Sequence, residues 1–234
     1  MNLFKETFQF KETQCTIIAD QKNGIQTAIK SIKQNRRVLE EYSKAHPSFL
    51  HTLKPTTAPA EPLVAKLMAE AAAKANVGPM AAVAGVIADL AVKDMLQVGC
   101  EVAVVENGGE ISAVSNRTID VAVAAGDEPP SKRFGFRLSE FPIGVATSSG
   151  RFSHAFSFGD AEVATLFCKN AGLADAAATA VCNVVKGEGH QAAIQAGIYK
   201  ALSIQGVEGV LIVYKGFTGT AGKIPKIIKV DPIT

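Results

Sequence analysis

The sequence predicts an α+β fold with a largely antiparallel sheet and packed helices. The spacing of apolar residues changes along the chain, from a period of two to a helical period and back to two after Gly99. The segments of period two are short and separated by turn residues, as in antiparallel sheets. Strands and helices do not alternate as regular β-α-β units, which argues against a doubly wound parallel sheet.

The first half of the chain supports this order element by element. Residues 3–20 alternate apolar and polar side chains and predict two strands. Residues 23–45 have apolar side chains at helical spacing, and Pro47 closes that helix. The stretch 53–62, LKPTTAPAEP, is typical of a linker. Two alanine-rich helices are then expected, at roughly 61–76 and 80–97.

The second half begins with a series of short strands. The predicted strands are EVAVVE, EISAVS, TIDVAVAA, FGFRLS and FPIGVATS, all between residues 101 and 148. A second helical block is expected over 172–204, and the chain ends in the strands VEGVLIVYKG and GKIPKIIKV. The length of 234 residues allows one large domain or two small ones, and we expect a single domain over 1–234.

Composition excludes several classes of protein. A net charge of +2 does not provide the basic field of a nucleic-acid-binding protein. The four cysteines form no Cys-x-x-Cys pair, which indicates buried thiols in a reducing compartment. The first ten residues lack the apolar core of a signal peptide, and no apolar stretch is long enough to span a bilayer. The sequence therefore predicts a cytoplasmic protein without a membrane partner.

The stretch NAGLADAAATAVCNVV, residues 170–185, places one acid within an apolar helix. Asp175 and Thr179 are four residues apart, so they share one helix face. Asp175 could lie in the first helical turn and interact with the helix dipole, and Thr179 could bond back to the carbonyl of residue 175. The alternative is a cation, because carboxylate and hydroxyl oxygens suit Mg²⁺ or Ca²⁺.

Two turn segments are further candidates for a binding site. In VVENGGEI, the run Asn107, Gly108 and Gly109 predicts a hairpin turn, and its glycine amides could approach a phosphate or a ring. In ATSSGRFSHAFSFG, hydroxyls and free amides cluster after a strand, from Thr147 to Gly150, and His154 follows. Either segment could equally be an ordinary loop. The cluster of hydroxyls and amides in ATSSGRFSHAFSFG comprises Thr147, Ser148, Ser149 and Gly150.

Taken in order, four segments resemble the ApbE-like FAD:protein FMN transferases. They are AVAGVIADLAVKDML, VAVVENGGEI, GVATSSG and LADAAATA, between about residues 80 and 185. The chain is most similar to a shorter branch of that family, found in prokaryotes. The resemblance implies a T-fold-like architecture of two α+β halves, at about 1–115 and 116–234, which agrees with the order of elements above.

The resemblance also implies a site and an activity. Asp175 and Thr179 would bind Mg²⁺, with a backbone carbonyl near Val83 or Ala84 as a further ligand. The turns Asn107–Gly109 and Thr147–Gly150, with His154, would line an FAD site. The family's reaction cleaves the FAD diphosphate, transfers FMN to a Thr or Ser of an acceptor protein, and releases AMP.

The sequence leaves several functions open. The family's His-x-x-Asp-Pro-x-Thr-Gly stretch is replaced by SHAFSFG, and its usual lysine in the small-residue helix is replaced by Ala84. The alternatives are an FMN transferase, a hydrolase of the FAD diphosphate, and a nucleotide-binding protein without catalysis. A structural or assembly protein, whose sheet pairs across a homodimer, is the remaining alternative.

Overall fold

The computed structural model describes residues 2–11, 13–122, 134–150 and 159–229. Its first elements are the strands β1 Phe4–Phe10 and β2 Thr13–Ala19, followed by the helices α1 Lys22–Ala45, α2 Pro47–His51, α3 Leu63–Ala75 and α4 Val83–Gln97, with a 3₁₀ turn at Pro79–Ala82. Next come the strands β3 Ala103–Asn107, β4 Glu110–Val114, β5 Ile119–Ala122, β6 Phe134–Leu138, β7 Ile143–Ser148 and β8 Val163–Cys168. The remaining elements are α5 Ala171–Cys182, α6 His190–Ser203, β9 Val207–Tyr214, β10 Phe217–Gly222 and β11 Lys226–Lys229.

The large sheet has eight strands in the order β1-β2-β3-β4-β7-β8-β9-β10, and every neighbouring pair is antiparallel. The helices α1 to α4 lie between β2 and β3 in the sequence, within the first four strands of the sheet order. The helices α5 and α6 lie between β8 and β9, within the last four. The predicted α+β class with a largely antiparallel sheet is confirmed. The division into two halves at about 115/116 stays a prediction.

The large sheet is covered on both faces, so the molecule has two hydrophobic cores. On one face the helices bury the main core, which includes Ile17, Met68, Ile87 and Leu166. On the other face a three-stranded sheet, β11-β6-β5, buries a second core that contains Phe136. A strand between two covered faces loses its polar side, and this explains several fully apolar strands.

Most of the predicted elements are present, with corrections at β8 and at the second helical block, and the short helix α2 and the strand β10 were not predicted either. The strand β8, with the sequence VATLFC, was not predicted, although it lies inside the large sheet. The helical block expected over 172–204 is two helices, because the chain leaves the helix between Cys182 and His190. The linker at 53–62 contains no helix or strand, as expected.

No single helix in the described ranges is both long and apolar enough to cross a membrane. The segments Leu63–Ala75 and Pro79–Gln97 reach that length and composition only as a pair bent by 100°.

Candidate functional site

The candidate site lies where α4 crosses α5, and two glycines set the distance between these helices. A Cβ on Gly85 would lie 2.2 Å from the carbonyl oxygen of Ala171, and a Cβ on Gly172 would lie 2.5 Å from Cγ2 of Val86. A side chain at either position would force the neighbouring helix to move. The small residues of α4 therefore serve a close contact between two helices.

Each helix supplies a carboxylate to the first turn of the other. Asp175 Oδ2, on α5, accepts the backbone N–H of Gly85 at 3.0 Å. Asp89, on α4, accepts the N–H of Ala171 at 2.9 Å and that of Gly172 at 2.8 Å. The first N–H groups of a helix have no partner within it and form the positive end of its dipole. The two carboxylates thus satisfy donors that would otherwise be unpaired at the crossing.

These contacts answer why an apolar helix carries Asp175. The helix α5 begins at Ala171, and Asn170 caps it by accepting the N–H of Leu173 at 2.9 Å. Asp175 therefore lies on the second turn, and its interpretation as a first-turn residue is wrong. Its partner is a main-chain amide of another helix, which no pattern in the sequence indicates.

Among the residues that the structure describes, the charged groups that act on Asp175 and Glu110 are carboxylates. Burial is the main cause that raises the pKa of Asp175 from 3.8 to about 7, and the negative charge of Asp89 raises it further against the lowering effect of the α4 amides. Burial also raises the pKa of Glu110 well above its ordinary value, and the charges of Asp175 and Glu106 add to this. A buried cluster of this kind is balanced by protons or by a cation.

The oxygen atoms at this place fit a magnesium ion. Asp175 and Thr179 are both half-buried and lie one turn apart on α5. Within the described residues, no three His, Cys, Asp or Glu side chains are arranged to hold a metal ion. A site here would therefore combine one carboxylate with a hydroxyl, a main-chain carbonyl, water and ligand phosphates. Mg²⁺ accepts such a shell, because it binds few protein carboxylates and retains water and phosphate oxygens.

The carbonyl that the resemblance implies as a further ligand lies at the start of α4. The oxygen of Ala84 accepts a hydrogen bond from Nδ2 of Asn107 at 2.9 Å. Asn107 is buried, and its Oδ1 accepts from the thiol of Cys15 at 3.4 Å. A carbonyl in the first turn of an α-helix also accepts the N–H four residues further on, so the bond from Asn107 orients Ala84 and engages the second lone pair of this oxygen.

The Gly-Gly segment forms the predicted hairpin turn between β3 and β4. Gly108 and Gly109 have φ of +67° and +110°, which a side chain would rarely adopt. The N–H of Gly108 donates to the carbonyl of Gln14 at 2.9 Å, and that of Gly109 donates to Oε1 of Glu106 at 2.8 Å. The amides that the sequence offered to a phosphate are therefore already paired within the protein.

The hydroxyl segment lies at the same end of the sheet as this turn. Ile111 pairs with Val145, so the carboxyl end of β7 runs beside the amino end of β4. Thr147 Oγ1 lies 2.9 Å from Thr165 Oγ1 in the next strand. Ser148 is buried, and its Oγ has no partner among the described residues. The fold thus brings the two predicted turn segments together.

The remaining predicted residues of this segment follow β7. Ser149 is also buried, and the N–H of Gly150 donates to the carbonyl of Ala161 at 2.9 Å. His154 belongs to residues 151–158 and lies outside the described residues.

Sequence reasoning did not single out Asp89, although it lies in the small-residue helix. Its carboxylate accepts the hydroxyl of Ser112 at 2.7 Å in addition to the two amides of α5, and burial raises its pKa. The signal that drew attention to Asp175, one acid among small apolar residues, is present around Asp89 as well.

Two surface depressions lie away from this crossing. One, of about 540 Å³, runs along α1 beside Lys30 and Arg37, and the other, of about 350 Å³, lies beside Asp120 and Arg137. Neither depression contains the candidate site, so its polar groups, and not a cavity, identify it.

Solved structures define the class of fold. The apo form of the flavinyl transferase ApbE of Pseudomonas stutzeri superimposes with a TM-score of 0.60 over 94% of each chain, at 14% identity. The flavin transferase ApbE of Vibrio cholerae gives a TM-score of 0.52 over 94% of this chain and 97% of that one, also at 14% identity. The chain thus has the fold of the ApbE flavin transferases.

The family follows from sequence comparison. The family model described as AbpE bacteria matches residues 3–203. A UPF0280 protein of Methanopyrus kandleri is 40% identical over 222 residues, 93% of this chain and 90% of that one. A UPF0280 protein of Methanosarcina acetivorans is 39% identical over 230 residues, 97% and 90% of the two chains. The chain belongs to the AbpE family, together with these UPF0280 relatives.

Proposed function

We propose that this protein binds FAD through a Mg²⁺ ion held at the crossing of α4 and α5 and cleaves the FAD diphosphate. One observation carries the proposal. Within the described ranges, Asp175 and Glu110 are half-buried carboxylates whose charged neighbours are further carboxylates, and Thr179 lies one helical turn from Asp175. The fold shared with flavin transferases supplies the class of ligand.

Each residue of the site would have a separate role. Asp175 and Thr179 would hold the ion, and Asn107 would keep the Ala84 carbonyl oriented through its bond of 2.9 Å. A bound Mg²⁺ would neutralise the charge that develops on the diphosphate as it is cleaved. Ser148 has a buried hydroxyl with no partner in the described part of the chain, so it is free to donate to a ligand oxygen.

Cleavage has two outcomes that differ in the group that accepts FMN. If water accepts it, FAD and water give free FMN and AMP in equal amounts. If a Thr or Ser hydroxyl of an acceptor protein attacks, the FMN phosphate becomes bonded to that oxygen, the proton leaves the hydroxyl, and AMP is the only free product. The altered stretch SHAFSFG keeps the His and the final Gly and loses the family's Asp-Pro, a change that would harm hydrolysis or binding less than FMN transfer.

The test is product analysis by chromatography after incubation with FAD and Mg²⁺. We expect AMP to form with the wild-type protein and to fall at least about tenfold with Asp175→Asn or Thr179→Val, because each removes one ligand oxygen. Asp120→Asn is the matched control, since Asp120 lies on β5 and pairs with Arg137 away from the site. Equal AMP formation by the wild type and by Asp175→Asn would contradict the proposed metal site.

A second candidate is a protein that binds the nucleotide without cleaving it. It is favoured by the paired amides of Gly108 and Gly109, which leave fewer donors for a charged transition state. This function predicts Mg²⁺-dependent binding of FAD, measured by fluorescence quenching, without AMP. The cytoplasmic location stays a prediction, and the burial of all four cysteines as free thiols supports it.

A further inference from the structure

The outer surface of α6 carries no charge. Its exposed residues are Gln191, Ala192, Gln195, Ala196, Tyr199, Leu202 and Ser203. Tyr199 and Leu202 are large and are 77% and 53% exposed. The helix has one lysine, Lys200, whose Nζ donates to the carbonyl of Ala75 at 3.2 Å. Helix faces in contact with water are usually charged, and the exposed side of α1 in this same protein carries lysines, an arginine and a glutamate.

The strand β10 beside this helix is also without charge. It is the last strand of the eight-stranded sheet, and on its inner side it pairs with β9. The sequence FTGTAG contains none of the lysines, glutamates or prolines that protect sheet edges from pairing. At the opposite edge, β1 carries exposed Lys5 and Glu6.

The hairpin geometry shows which groups of β10 are open for pairing. Lys215 and Gly216 both have positive φ, so they form a two-residue turn. Phe217 and Tyr214, which flank this turn, form a hydrogen-bonded pair, and the pattern alternates along the ladder. The N–H and C=O groups of Thr218 and Thr220 therefore point away from β9, to the side on which no described strand pairs with β10.

The uncharged helix face and the uncharged edge form one surface. Phe217, at the start of β10, is 52% exposed, and its ring stacks on the ring of His190 at 3.7 Å. His190 is the first residue of α6. The stack therefore joins the edge strand to the helix that packs on it.

We propose that this surface, formed by β10 and the exposed face of α6, binds a second copy of the same chain. Around a twofold axis residue i of one copy contacts residue j of the other and j contacts i, and a residue near the axis approaches its own counterpart, so a charged residue near the axis would meet its own charge. A surface free of charge avoids this repulsion over its whole extent. Two β10 strands pair antiparallel and join the two large sheets into one, and the two α6 helices pack against each other.

The test is the mass in solution by sedimentation velocity. We expect the wild type at twice the monomer mass of 24.5 kDa. Thr220→Pro removes an N–H that points outward, so it should give a monomer without breaking the β9–β10 ladder. Its matched control is Thr7→Pro on the opposite edge. Counting along β1 from the hydrogen-bonded pair Phe10–Thr13, the N–H of Thr7 also points away from β2. The variant Thr7→Pro should therefore stay dimeric.

A second pair of variants tests the helix face independently of the strand. Gln195→Lys on α6 should raise the dimer dissociation constant about tenfold or more, because two lysines approach across the axis. Gln34→Lys, on the exposed side of α1 near the other edge, should leave it unchanged. Circular dichroism checks folding, and Gln195→Lys decides the matter if Thr220→Pro fails to fold. A monomeric wild type, a dimer that survives Gln195→Lys, or a dimer lost equally in the controls would overturn the proposal.

Discussion

Replacing Asp175 with asparagine separates a ligand carboxylate from a structural cap. Asn keeps an oxygen that can accept the N–H of Gly85, which Asp175 accepts at 3.0 Å, and it removes the negative charge. The pKa of Asp175 is raised from 3.8 to about 7. Each pH unit corresponds to about 1.4 kcal/mol, so the ionised carboxylate costs the folded protein at most about 4 kcal/mol.

The sign of the pH dependence follows from proton binding. The folded protein holds the Asp175 proton more tightly than the unfolded chain, so the stability of the wild type falls as the pH rises from about 4 to about 7. Without metal at pH 8, Asp175→Asn should therefore be more stable than the wild type, by several degrees in Tm at about 2–4 °C per kcal/mol. At pH 5 the two proteins should be nearly equal.

Thermal unfolding at pH 5 and pH 8, with and without Mg²⁺, measures this difference. Mg²⁺ at pH 8 should stabilise the wild type and leave Asp175→Asn unchanged, because the cation replaces the missing proton. Asp120→Asn is a control with the opposite effect on stability. Because Arg137 lowers the pKa of Asp120, this variant should be less stable than the wild type at pH 8. If Asp175→Asn is less stable than the wild type by the same amount at both pH values, and Mg²⁺ stabilises neither protein, Asp175 is only a cap for α4.

Three further substitutions and one control substitution test local contacts by chemical denaturation. Gly85→Ala should cost about 1–3 kcal/mol, because the new Cβ would lie 2.2 Å from a carbonyl oxygen of α5. Gly189→Ala, whose Cβ would meet its nearest neighbour at 3.8 Å, should cost less than about 1 kcal/mol. Asp89→Asn should cost about 1–3 kcal/mol, since both oxygens of Asp89 accept backbone N–H groups and an amide has one oxygen. Tyr214→Phe should cost about 1 kcal/mol, because it removes the bond of 2.6 Å from the hydroxyl to the carbonyl of Gly187; no change would contradict that contact.

The fold was predictable where one side of an element faces water. The helix α1 and the strand β2 each have one buried side, showed their period in the sequence and lie where it predicted. The strand β8 did not, because all six of its residues are buried between the two cores. An apolar run without alternation gives no period to read, and this run follows a segment that resembled a loop.

The candidate site was predictable for its side chains and not for their partners. Asp175 stood out as an acid among alanines, and the two turn segments stood out by their glycines and hydroxyls. The bonds to Asp175 and Asp89 come from main-chain amides, which every residue possesses, so no sequence pattern marks them.

The exchange of carboxylates between α4 and α5 ties together distant parts of the chain. Asp89 and Gly85 precede residue 115, and Asp175 and Ala171 follow it. A fragment that ends before β5 would expose the unpaired first turn of α4, and the complementary fragment would expose that of α5. Neither piece is expected to be stable by itself, and the two should associate when they are mixed, since each contains the acid that the other's helix requires.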